Sequence, residues 1–243
     1  MSHHEHHYHG TTTQRSHLTK YLPEFVYGGI DGLVTTFAVV AGATGANLSL
    51  NVVLILGFAN LFADGFSMSV GAYLANKSDH DNYKKNLATE YREIQHMREK
   101  EIEEIREIYE AKGFEWELLE QVVAKIIEDD DRWVDVMMKE ELGLQLPEKT
   151  PFYIGLSTLT SFIIIGFIPL FAYVISAMGH LEDSSLFPLS VVLTASGFIL
   201  IGWMKSYVNE TSRRRAVAET LVLWGLAATV AYYVGFVLEA IIR

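Results

Sequence analysis

The chain of 243 residues has no cysteine and only five prolines. Without thiols it can build no disulfide, no thiolate metal site and no iron–sulfur cluster. Basic residues are also scarce: 19 Lys and Arg stand against 30 Asp and Glu, for a net charge of −11. That balance argues against nucleic-acid binding and for attraction of cations. Charge of either sign is almost missing from five long stretches, near 25–47, 52–76, 152–178, 186–208 and 216–241. A helix needs about 20 apolar residues to cross a bilayer, and each stretch supplies them. None alternates as a barrel strand does, and each outruns the usual core helix of a soluble bundle, which is the weaker alternative. The first 20 residues hold no apolar core, so no secretory signal is expected and the first span is expected to target the chain.

Charge is concentrated elsewhere. Residues 79–145 hold 20 of the 30 acids against 10 basic residues. The expected organisation is a His-rich, disordered tail (1–20), spans 1 and 2 (21–78), an acidic domain (79–147) and spans 3 to 5 (148–243). Lys and Arg set the orientation. Arg15 and Lys20 precede the first span, Lys77, Lys84 and Lys85 follow the second, and Lys205 and Arg213–Arg215 follow the fourth. The opposite loops, Gly45–Asn51 and Gly179–Phe187, have none. By the positive-inside rule the N-terminus and the acidic segment are cytoplasmic and the C-terminus lies outside. The tract Met1-Ser-His-His-Glu-His-His-Tyr-His9 is read as a polar tail, with divalent-metal binding the lesser alternative.

Two carboxylates interrupt the apolar stretches. Asp31 lies in Tyr27-Gly-Gly-Ile-Asp31-Gly, about 9 Å inside the cytoplasmic end of the first span. Its glycine neighbours allow a second helix backbone to approach closely. A charge at bilayer depth costs about 3 kcal/mol or more, so by default it marks an ion or substrate path. The alternative is a structural aspartate that caps or pairs within the bundle. No Lys or Arg stands at its depth in another span, which favours a cation or proton as counter-charge. In the second span Asn60, Asp64 and Met68 recur every four residues and share one face. A lone membrane methionine reads as packing; beside two carboxylates its thioether favours a transition metal over magnesium or calcium.

In the acidic segment a helix is predicted over about Asp79–Ala111, with Glu90, Glu93, Met97, Glu101 and Glu104 in one stripe beside an apolar face of Ile94, Ile102, Ile105 and Ile108. Further helices are predicted over Trp116–Glu128 and Asp130–Leu142, the last carrying Met137, Met138 and Glu141. These acids are either a solvated face paired with Arg92, Arg98, Lys100 and Arg106, or, with the thioethers, a multinuclear metal site. Glu93-Ile-Gln-His96 fits the di-iron Glu-x-x-His pattern once, where such bundles need it twice. Pro169 is expected to kink the third span, Trp133 to pack, and Glu219 to pair with Arg215.

Three segments carry a resemblance: Gly28-Gly-Ile-Asp31-Gly-Leu-Val-Thr-Thr-Phe-Ala-Val-Val-Ala-Gly42, Ala63-Asp-Gly-Phe-Ser-Met68-Ser-Val-Gly-Ala-Tyr-Leu74, and Trp133-Val-Asp-Val-Met137-Met138-Lys-Glu-Glu141-Leu-Gly-Leu144. With them the chain resembles the vacuolar iron transporter family from about residue 20 onward. The resemblance implies an all-α integral membrane protein: five transmembrane helices, a cytoplasmic three-helix metal-binding domain between the second and third, and a homodimer with a pore between subunits. It implies transport of iron(II), often with manganese(II), out of the cytoplasm by proton antiport, and no tightly bound cofactor beyond the metal. Its path residues fall on Asp31 and Met68. Its metal-domain ligands fall on Glu90, Glu93, Glu101, Glu104, Met137, Met138 and Glu141. The plant-type pattern has a glutamate where this chain has Asn60, and Asp64, one turn nearer Met68, is expected to take over the carboxylate role. The compact chain suggests a prokaryotic plasma membrane, whereas plant and fungal relatives are vacuolar. The rivals to a transporter are a membrane-anchored ferroxidase or iron-storage protein and a non-transporting metal sensor.

Overall fold

The computed structural model describes residues 20–179, 185–208 and 211–242, and every regular element among them is a helix. The His-rich tract lies outside the described residues. Two compact units emerge, one of residues up to Tyr73 together with Pro151 onward, the other Leu74–Thr150.

The first unit holds the apolar helices. Helix α1 (Leu22–Gly45) opens with proline in its first turn, where the missing N–H costs nothing, and with Glu24 to complement the dipole. Helix α2 begins at Leu50 and runs to His96. The third predicted span is two helices, α6 (Pro151–Gly166) and α7 (Phe171–Ala177), joined by a 3₁₀ turn over Ile168–Leu170. Pro169 lies in that turn, as its missing N–H and fixed φ require, and the Ser190 hydroxyl donates to its carbonyl at 2.7 Å. Helices α8 (Leu186–Val208) and α9 (Arg213–Ile242) complete the unit. Five segments among the described residues, counting Pro151–Ala177 as one, are long and apolar enough to cross a membrane. They point to an integral membrane protein.

Helix α1 is central and packs on α6, α8 and α9. At Gly32, beside Asp31, the approach is close: an added Cβ would lie 2.6 Å from the Phe162 backbone oxygen. Leu61, Phe162, Leu170 and Tyr173 form one buried cluster, and Leu33, Phe198 and Ile201 another. The outer face of α9 (Val222, Leu226, Val230 and Val237 among others) is exposed. Such a contiguous apolar face suits hydrocarbon and is an aggregation hazard in water.

The second unit comprises the end of α2, α3 (Arg98–Ala111), α4 (Trp116–Ile127), α5 (Asp130–Val136) and a π-helical turn over Met137–Glu141. The single helix expected over Asp79–Ala111 is corrected: no helix starts at Asp79, and the chain breaks at Met97 (φ −127°, ψ 35°). The reason lies in the core. In one straight helix Ile94 and Ile105 would stand about 16 Å apart along the axis; the turn at Met97 lets both bury in one cluster with Leu119, Val123, Trp133, Met137 and Met138. The helix expected over Asp130–Leu142 forms, α-helical to Val136 and π-helical from Met137 to Glu141, and Asp129 caps it by accepting from the Arg132 N–H at 2.8 Å.

Candidate functional site

In the first unit Gly28, Gly29 and Gly32 of α1 face α6 and α8, and Asp31 is left half-buried beside them. One turn on, the Thr35 hydroxyl donates to the Asp31 backbone carbonyl at 3.0 Å. Helix α2 is fixed by its own small residues: Gly65 lies against the Phe162 ring, and the Ser69 hydroxyl donates to the Gly155 carbonyl at 2.8 Å. These contacts hold Asn60, Asp64 and Met68 in a half-buried row beside the packed side of α2. Asp31 and Asp64 are near enough for their charges to interact. The Asn60 side-chain nitrogen is buried without a hydrogen-bond partner among the described residues, which costs about 1–3 kcal/mol. Met68 leans on the cluster that holds Leu61 and Phe162, so its packing role is real whatever else its sulfur does.

The second unit gathers acids from three elements. Glu90 on α2 is 4% exposed and Glu101 on α3 is 2% exposed. Burial, and after it the charges of Glu141, Glu93, Glu101 and Glu104, push Glu90 up to about 7. Burial, then Glu104, Glu93 and Glu141, carry Glu101 to about 7 against a smaller opposing pull from Lys100. Glu141, in the π-turn, is raised by partial burial and by Glu104 and Glu93. Among the described residues one ammonium answers the group, Lys100, which bonds Glu104 at 2.8 Å, and one oxygen of Glu90 is buried without a hydrogen-bond partner. Five carboxylates thus share one electrostatic neighbourhood with a single nearby cation among the described residues. Beside them Met137 and Met138 are wholly buried in the π-turn, a helix irregularity often found at functional sites.

The side chains are close enough to repel and not yet close enough to chelate. Among the described residues no three His, Asp or Glu side chains stand in position to hold a metal ion. His96, of the Glu-x-x-His pattern, is exposed, and its Nδ1 bonds the Arg92 carbonyl at 2.8 Å. Trp133 is buried under the Arg98 guanidinium, 4.8 Å from the ring centroid, and its role is packing.

The family model described as the VIT family matches residues 22–236, which takes in both groups of acids. The chain belongs to the VIT family. It is 33% identical over 228 residues to the vacuolar iron transporter of Toxoplasma gondii, covering 91% of this chain and 76% of the relative. To vacuolar iron transporter 1 of Arabidopsis thaliana it is 32% identical over 217 residues, 89% and 85% of the two chains. To vacuolar iron transporter 1 of Oryza sativa subsp. japonica it is 31% identical over 232 residues, 94% and 89%. For this VIT family member, sequence reasoning named the acids and missed the devices that gather them: the break at Met97 and the π-turn at Met137. Neither contains the proline or glycine that would have announced it.

Proposed function

We propose that the protein carries iron(II), and manganese(II) as a second substrate, out of the cytoplasm in exchange for protons, along a path that includes Asp31, Asp64, Asn60 and Met68. The observation that best supports this reading is the interacting pair Asp31 and Asp64. Both are half-buried, on separate apolar helices, and neither apolar stretch contains Lys or Arg. Two carboxylates in hydrocarbon without a basic partner call for a mobile cation. A divalent ion favours their ionised form and burial favours the protonated one, so the same pair can hold metal on one stroke and a proton on the other. The relatives named as iron transporters supply the metal. The reading makes the carrier a homodimer, with the partly exposed face of α2 turned to the second subunit.

In this reading the glutamates of the second unit (Glu90, Glu93, Glu101, Glu104 and Glu141) with Met137 and Met138 capture the metal. A divalent cation would offset the burial, and relieve the repulsion added to it, that together raise Glu90 and Glu101, drawing the carboxylates the last distance to coordination. The fitting membrane is one whose cytoplasmic side faces the acidic unit and whose far side is more acidic. The test is Fe²⁺ flux into proteoliposomes with and without an acidic lumen, under anaerobic conditions. Flux is expected to rise several-fold with the gradient and to be matched by lumen alkalinisation; flux indifferent to the gradient would reject proton exchange.

A further inference from the structure

Arg213, Arg214 and Arg215 open α9, and all three are exposed. Their surroundings divide them. The Arg215 Nε lies 3.1 Å from Glu219, and Lys205, from the end of α8, reaches the same carboxylate at 3.2 Å. One acid therefore answers two cations. Arg213 and Arg214 form no ion pair with any described acid. The Arg213 guanidinium instead lies over the ring of Trp203, 5.9 Å from its centroid. Trp203 is 51% exposed and Tyr207, one turn further along α8, is 71% exposed. Behind the aromatics the surface becomes aliphatic, with Ile199 and Leu200 on α8 and Val222 and Leu223 on α9 all exposed.

The sequence of chemistries across this patch is guanidinium, aromatic ring, hydrocarbon. It matches, in order, the phosphate, glycerol and acyl zones of a lipid leaflet, where Trp and Tyr characteristically sit at the interface. We propose that the patch is a binding site for an anionic phospholipid, with Arg213 and Arg214 as ligands of its phosphate and Trp203 and Tyr207 flanking its glycerol region. Orientation by the positive-inside rule needs only charge. It explains neither the placement of Arg213 over Trp203 nor the two guanidinia without an acid partner among the described residues. Guanidinium presents a planar fork that meets two phosphate oxygens at once, and each basic residue near an anionic surface contributes about 1 kcal/mol. A zwitterionic lipid is disfavoured, because its ammonium would face four cations and one carboxylate among the described residues.

The experiment is native mass spectrometry of the purified full-length protein in detergent, loaded with phosphatidylglycerol or phosphatidylcholine of the same acyl chains. The wild type is expected to retain phosphatidylglycerol selectively and to keep it when millimolar inorganic phosphate is added. The double variant R213Q/R214Q should lose about fivefold in retention per charge removed, the equivalent of about 1 kcal/mol each. R213K/R214K keeps the charge that orients the chain and should still retain less lipid than wild type, because the fork and the stacking are gone. Equal retention of the two lipids by the wild type, unchanged retention in R213Q/R214Q, or displacement by inorganic phosphate would each overturn the proposal. The lipid comparison and the phosphate competition use the wild type alone, so they decide even if a variant fails to insert.

Discussion

Gly32, next to Asp31, sits where α1 packs closely on α6. Its missing Cβ lets the α1 backbone lie against the Phe162 carbonyl, where an added carbon would stand 2.6 Å away. The obstacle would be backbone, not the far end of a flexible side chain, so α1 itself must shift. Gly32→Ala is expected to destabilise the protein by about 1–3 kcal/mol, the usual cost of overpacking, read as a lower thermal midpoint in detergent. It should also reduce transport, because Asp31 moves with its helix. The sequence carried most of this: glycines on either side of an intramembrane acid announce a close helix crossing. What it could not carry was the partner. That α6 lies opposite and that Asp64 answers Asp31 across the unit depends on packing between segments more than 30 residues apart, which no local pattern encodes.

At the scale of elements, the Leu74–Thr150 unit is built around carboxylates that resist ionisation. For Glu90 and Glu101 the folded-state value near 7 stands above the ordinary 4.5. The folded metal-free unit therefore binds more protons than the unfolded chain between those values. The stability this contributes is complete below about pH 4.5 and is lost as pH rises through 7. Proteolytic cleavage within residues 98–141 of the full-length protein, corrected for protease activity on an unfolded control, should quicken several-fold from pH 6 to pH 8. Divalent metal should reverse the effect at pH 8. Glu101→Gln should flatten the pH dependence and weaken metal binding together; a flat wild-type profile would mean that the glutamates are not coupled. The acids and apolar residues of 90–108 were legible from helical spacing on either side of Met97, but the single continuous stripe was not, because two helices carry it. The turn at Met97 was not, since it follows from burying Ile94 and Ile105 in one core.

For the whole molecule, the five apolar helices were legible almost to the residue, because a bilayer imposes a length that composition must satisfy. The predicted 186–208 is the observed α8, and the predicted 25–47 differs from α1 by a few residues at each end. The division of the third span at Pro169 was legible too. The second span was the exception: its helix runs on from the apolar stretch through the charged one to His96, since helix propensity does not stop where hydrophobicity does. The central claim is that the carboxylate pair of the apolar helices carries the metal. The measurement that tests it most directly is anaerobic Fe²⁺ flux into proteoliposomes, for wild type and for Asp31→Asn reconstituted to the same density and orientation. The substitution keeps the size and hydrogen-bonding reach of the side chain and removes its charge. Loss of flux by a factor of about 100 or more, the equivalent of about 3 kcal/mol at the barrier, is the predicted result; flux in Asp31→Asn equal to wild type would contradict the account.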